Sequence, residues 1–508
     1  MSYQLSTQQQ AFVDWVRTGR GNAIAEAVAG AGKTSTILRS LPETRGSVAI
    51  AAFNNRIADE IKTKVAKLDL GRQIAVGTFH SFGFRTWRNV ASRVQVDGDK
   101  VRNLMRVMEV DEELRDFVGS AVGMARQVGI GALHPMGDMS AWYGMVAHHD
   151  MADKLADAPG AHVSPYLLER ALGVAVKVLE ASNESCRDVI DFDDMLYAPI
   201  LFKARFWQND WLFVDEAQDS NAMRRAVARA MLRPGGRAVF VGDRRQAING
   251  FAGADNDALD QIAREFSTTE LPMTVTYRCP KAVVREARMY VDHIVASPTA
   301  PEGEVRDIGA FENLFSEKLT PDDAILCRNT APLVKAAYGL IRRGTACRIE
   351  GRDIGAGLLR LATRWKRCKT LPDLREKLVE YMETETVALT AKNKEAKAAA
   401  LQDQVESLIA VIDGMEPAAT MRDLRSRLEG MFGDSDKDPR PMVTLCSGHR
   451  SKGREWHRVY LVGMNELIPS PFARQDWMVR QEENVAYVMV TRSMGELVYV
   501  AAPPRGVR

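Results

Sequence analysis

AVAGAGKTST, residues 27–36, crowds small residues around a single lysine. A loop that wraps a chain of phosphates must turn its backbone N–H groups inward, and bulky side chains would block both the turn and the approach. In such a loop Ala29, Gly30, Ala31, Gly32 and Ser35 form the cradle and Lys33 reaches the β and γ phosphates. The Thr34 hydroxyl completes a Mg²⁺ shell. Ala27 stands where the G-x-x-x-x-G-K-[ST] pattern has its first glycine. An ordinary glycine-rich turn is the competing reading of so near a match.

A second stretch favours the phosphate reading. LFVDEAQDS (212–220) reads as a strand ending in two carboxylates. Asp215 is placed to hold Mg²⁺ through water and Glu216 to accept a proton from an attacking water. The alternative is that these carboxylates cap the next helix. With a phosphate loop upstream, the pair points to nucleotide hydrolysis.

The chain has 508 residues, room for roughly two to four units of about 100–200 residues each. Lys plus Arg number 68 against 66 Asp plus Glu, so bulk charge announces no polyanionic partner and any such site must be local. Six cysteines occur without a CxxC pair, which fits reduced thiols rather than a zinc or disulfide framework. No apolar run reaches the roughly 18–20 residues of a membrane span, and the start lacks a signal-peptide pattern. A cytoplasmic protein is expected.

Short apolar runs at 47–53, 211–217, 237–243, 323–329 and 458–463 read as buried parallel strands separated by helices. Residues 86–185 and about 356–438 break that rhythm and read as helical. Val101, Leu104, Met105 and Met108 recur at helical spacing in the first, and Leu401, Val405, Leu408, Ile409 and Ile412 in the second. Each reads as an insertion in an α/β domain. The Ala/Lys/Glu-rich stretch at 388–404 reads as a solvated helix face, with a DNA contact as the competing reading.

These motifs, taken in order, resemble those of superfamily 1 helicases of the UvrD/Rep group. The resemblance implies two RecA-like P-loop NTPase domains with parallel sheets, each carrying a mainly helical insertion. Residues 1–85 and 186–275 would form the first domain around an insertion at 86–185. Residues 276–355 and 441–508 would form the second around one at 356–440. LSTQQQAF (5–12) resembles the motif in which a glutamine reads adenine, with Gln9 at the better spacing and Gln10 next to it. VGDRRQAINGFAGA (241–254) resembles the motif in which Gln246 would sense the γ-phosphate and Phe251 would stack on a base. Core packing stays open for Phe251, and Asn249 stands where a tyrosine is common.

TVTYRCP (274–280) implies that Tyr277 stacks on adenine and Arg278 reaches the γ-phosphate. In SGHRSKGREW (447–456), Glu455 would hold the ribose, while His449 and Lys452 would lie near the DNA and phosphate networks. Gly448 and Arg454 depart from the usual pattern. ENVAYVMVTRS (483–493) places Arg492 as an arginine finger. AAFNNR (51–56) and GTFHSFGF (77–84) resemble motifs lining a single-strand groove, implying Phe53, Asn54, Thr78 and His80 as DNA contacts. Phe82 is a further candidate there, with core packing open for Phe82 and Phe84.

DFDDMLY (191–197) reads as helix capping and domain packing. AHHDMAD (147–153) offers His149 and Asp153 at helical spacing but lacks a third ordered ligand, so a polar surface helix is the better reading.

The resemblance thus implies an ATP- and Mg²⁺-dependent helicase or translocase on single-stranded DNA and single-strand/duplex junctions, moving 3′ to 5′. Replication or repair proteins are the candidate partners, and the oligomeric state stays open, a monomer being compatible with the motifs. A DNA-stimulated ATPase that displaces proteins without processive unwinding would carry the same motifs.

Overall fold

A computed structural model describes residues 5–149, 151–155, 163–248, 257–343, 345–365, 368–391, 395–416, 418–433, 441–471, 473 and 476–504. The chain divides into two compact units that meet in sequence between Thr274 and Val275.

The first unit is built on a six-stranded parallel sheet. Its strands are β1 (Asn22–Glu26), β2 (Val48–Ala52), β3 (Ile74–Thr78), β4 (Asn209–Asp215), β5 (Leu232–Gly242) and β6 (Thr268–Glu270), in the order β3-β2-β4-β5-β1-β6. The sequence VAIAA leaves β2 buried along its whole length, as a strand covered on both faces requires. Helices α1 (Thr7–Thr18), α2 (Lys33–Ser40), α3 (Asn55–Ala66) and α4 (Phe79–Arg88) join or flank the first strands. Because every neighbouring pair is parallel, all these strands end on one edge, where β1 delivers the phosphate loop and β4 delivers Asp215.

Helices α5 (Lys100–Val107), α6 (Glu112–Val128), α7 (Met139–His148) and α8 (Pro165–Glu184) form the helical stretch within this unit. Ala121 and Ala125 on α6 and Ala171 and Ala175 on α8 are fully buried, and such small residues let two helices approach closely. Helix α9 (Asp194–Leu201) follows, and α10 (Ala222–Ala230) comes after β4. DFDDMLY does pack and cap. Lys100 Nζ lies 2.7 Å from Asp194, and Arg126 Nη1 lies 2.8 Å from Asp191 and 2.9 Å from Asp194. Asp191 and Asp194 also accept each other's backbone N–H.

The second unit carries a seven-stranded parallel sheet. Its strands are β7 (Glu304–Asp307), β8 (Asp323–Cys327), β9 (Cys347–Glu350), β10 (Phe432–Gly433), β11 (Val443–Ser447), β12 (Trp456–Val462) and β13 (Ser493–Val500), in the order β7-β13-β12-β8-β11-β9-β10. Four helices, Arg352–Ala362, Leu371–Ala391, Glu395–Asp413 and Met421–Met431, fill the stretch between β9 and β10. Val405, Leu408 and Ile412 are buried there, while Leu401 and Ile409 are half-buried. The Asp403 carboxylate accepts N–H groups of Thr330 and Ala331, capping the helix Thr330–Arg342. All six cysteines are free thiols.

Candidate functional site

The phosphate loop is shaped by two left-handed glycines, Gly30 (φ 73°) and Gly32 (φ 78°), a conformation that a Cβ disfavours. Ala27 needs no such freedom. It sits in a β-bridge with Met273, and its N–H donates to the Gly242 carbonyl, so the missing first glycine costs nothing here. Gly32 caps α2 without any side-chain hydrogen bond, leaving the first N–H groups of the helix for an anion. Ala29 and Ala31 are buried beneath the turn, and Lys33, Thr34 and Ser35 open α2.

Lys33 Nζ lies 3.1 Å from Glu216 Oε2, and the Thr34 hydroxyl donates to Asp215 Oδ2 at 2.7 Å. Burial pulls the Lys33 ammonium down, but Glu216, Asp243 and Asp215 outweigh it and hold the group above its ordinary pKa. Burial, and then the neighbouring Glu216, pushes Asp215 up to about 6. Burial also pushes Asp243 up to about 6. Three carboxylates thus crowd one lysine. Glu216 itself holds a left-handed backbone (φ 54°), uncommon outside glycine, at the sharp turn that ends β4.

Gln9 is buried. Its Oε1 accepts the Ser6 N–H and its amide donates to the Ala31 carbonyl at 3.1 Å, so it braces both the start of α1 and the phosphate loop. Gln8, which the sequence did not single out, exchanges two hydrogen bonds with Thr274. Gln10 bonds Asp14 on the surface. Gln246 is buried and donates to Asp243 Oδ2 at 2.7 Å.

Residues 5–267 match the model of the UvrD/REP helicase N-terminal domain, and residues 360–502 that of the UvrD-like helicase C-terminal domain. The chain belongs to the UvrD/Rep helicase family. Among its relatives, the ATP-dependent DNA helicase UvrD2 of Mycobacterium tuberculosis (strain H37Rv) is 23% identical, over 93% of this chain and 75% of the relative. A probable DNA helicase II homolog of Mycoplasma pneumoniae is 23% identical over 59% of this chain and 44% of its own. The ATP-dependent DNA helicase Rep of Escherichia coli K12 is 24% identical over 57% and 43% respectively. The match therefore spans less than half the length of the last two.

In the second unit of this UvrD/Rep-family chain, Arg278 Nε lies 2.6 Å from Glu455, and Tyr277 beside it is half-buried. Arg492, expected as a finger, is only 1% exposed. Its guanidinium donates to the carbonyls of Val488 and Arg454 and to the Thr491 hydroxyl. Both departures from the motif gain a local reason. A Cβ on Gly448 would lie 2.6 Å from Met489 Sδ and 2.7 Å from a Val485 methyl, so the helix Asp476–Val490 needs the glycine. Arg454 lies 3.0 Å from Glu350, which is 2% exposed, so the arginine gives a buried carboxylate an ion-pair partner. His449 is half-buried, and burial, then Arg328, pushes its pKa down to about 4. Lys452 follows the same turn and is half-buried.

The proposed groove residues divide. Phe53 and His80 are half-buried and line one narrow pocket together with Asp215 and Glu216. Asn54 is exposed but its side chain caps α3 by accepting the Ile57 N–H. Thr78 is buried and forms a capping box with Ser81 at the start of α4, so its hydroxyl serves the helix. Phe82 is 8% exposed within the hydrophobic core, which removes it from the groove candidates. Phe84 packs half-buried against a smaller cluster around Trp87. Phe251 and Asn249 lie outside the described residues, and so does the Asp153 side chain. Among the described residues no group of three His, Cys, Asp or Glu could hold a metal, and no helix is long and apolar enough to cross a membrane.

Proposed function

We propose that this chain is an ATP- and Mg²⁺-dependent DNA helicase that translocates on single-stranded DNA, 3′ to 5′. The observation that carries the reading is the pairing of Lys33 with Glu216 and of Thr34 with Asp215 beneath an uncapped helix N-terminus. The loop N–H groups and Lys33 would bind the phosphates. As Lys33 turns to them, Glu216 is released to take a proton from water while that water's oxygen attacks the γ-phosphorus, yielding ADP and phosphate. A hydroxyl and a carboxylate are the hard oxygen donors that Mg²⁺ prefers, so Thr34 and Asp215 fit the ion. When bound, it would neutralise phosphate charge.

The roles of Gln9, Gln246, Tyr277, Arg278, Glu455 and Arg492 toward nucleotide, and of Phe53, His80, Phe251 and His449 toward DNA, are part of this proposal. They rest on family resemblance. Displacement of a labelled strand from duplexes with a 3′ or a 5′ tail tests the reading. ATP-dependent release from the 3′-tailed substrate alone is expected. Stimulation of ATPase by oligonucleotide without release would instead assign the chain to protein displacement, and release from the 5′-tailed substrate would reverse the polarity.

A further inference from the structure

Arg224 lies between the two halves of the first unit's chemistry. Phe53, His80, Asp215, Glu216 and Arg224 line one pocket with room for about one water molecule. The Arg224 guanidinium carbon lies 5.4 Å from the centroid of the Phe53 ring, within cation–π range. From the same side chain, Nη1 donates to the Asp219 carbonyl. Asp219 closes the turn that carries Glu216, because its N–H donates to the Glu216 carbonyl at 3.1 Å. One planar group therefore joins an aromatic ring at the end of β2 to the strained turn at the end of β4.

We propose that Arg224 is a positioning residue that transmits occupancy at Phe53 and His80 to Glu216, and so sets how strongly single-stranded DNA accelerates ATP hydrolysis. The inference rests on the helicase reading above. A base stacked on Phe53 would take over the ring face on which the guanidinium rests and displace it. Because the guanidinium also holds the Asp219 carbonyl, that displacement moves the turn and re-aims the Glu216 carboxylate. Burial weakens the hold of Arg224 on its proton, with Asp219 and Asp193 opposing, so this cation is short of hydration and sensitive to its few contacts. It also adds to the burial that keeps the His80 imidazole neutral, which ties that ring to the same device.

The test is ATPase of the full chain titrated with a thymidine homopolymer, on the wild type, Arg224→Ala and Arg224→Lys. For Arg224→Ala the ratio of DNA-saturated to basal kcat should fall about tenfold, with the half-saturating oligonucleotide concentration moving less than threefold. Arg224→Lys keeps the charge but cannot span ring and carbonyl together, so its ratio should fall about threefold, and it decides the matter should the alanine variant not fold. A ratio within twofold of wild type in both variants overturns the inference. So does an equal loss of basal and stimulated rates with a lowered melting temperature, which makes Arg224 a packing residue. A wild type that DNA does not stimulate overturns the helicase reading, and this inference falls with it.

Discussion

The two units solve opposite electrostatic problems. In the first, Asp215, Glu216 and Asp243 crowd a single cation, Lys33, at the end of a parallel sheet. In the second, Arg278, Arg454 and Arg492 gather around one turn and are answered by Glu455, Glu350 and backbone carbonyls. The carboxylates of the first outnumber the lysine among them, and such a site is where an added cation stabilises most. In the second, neutral carbonyl dipoles join the carboxylates in answering the cations, and they fix the direction of the Arg492 guanidinium.

Breaking the first arrangement should have the largest effect. Lys33→Ala is expected to lower ATP turnover by at least about 10²–10³-fold, the scale of losing one preorganised donor to developing charge. Glu216→Gln should retain nucleotide binding and lose hydrolysis. Phosphate-release kinetics beside fluorescent-nucleotide titration checks both, and near-normal turnover in either would remove the catalytic assignment.

Breaking the second should act on stability. Arg454→Leu would remove an ion-pair partner of the buried Glu350 carboxylate, at a cost of up to roughly 3 kcal/mol. Adding Glu350→Gln should recover most of that loss. Denaturant melts of the single and double variants read the coupling, and additive losses would mean that the ion pair contributes nothing.

The smallest effects are in pH. Asp215 and Asp243, raised to about 6, take up protons below that value, so binding of nucleotide with Mg²⁺ should weaken as pH falls through 6. Their effect on folding has the opposite sign, because the folded state holds protons more tightly than the unfolded chain between about 4 and 6. For His449 the unfolded chain binds the proton first, so stability is lost as pH falls from 6.5 toward 4. His449→Gln should flatten that limb of a melting profile. An unchanged slope would show that the ring titrates normally.

Much of this architecture was legible because parallel strands buried on both faces have to be continuous apolar runs. The stretches 47–53 and 458–463 overlap β2 and β12. The phosphate loop and the carboxylate pair were legible because their chemistry tolerates few residue types. Side chains whose role depends on distant partners were not. Thr78 and Asn54 read as groove residues, yet a threonine or asparagine before a helix is also its cap, and the structure uses both that way. Phe82 could not be told from a stacking ring by sequence, because burial depends on what lies across the helix. Arg224 gave no signal, since its contact with Phe53 joins positions more than 160 residues apart.

That separation has a consequence for synthesis. β1 precedes its partners β5 and β6 by more than 200 residues. At about 5–20 residues per second, the strand that delivers the phosphate loop leaves the ribosome some tens of seconds before anything can pair with both its edges. The nascent chain must carry an unpaired apolar segment through that interval. The helical stretch between β3 and β4, whose helices α5, α6 and α8 pack on one another, is the part able to compact while the strand waits.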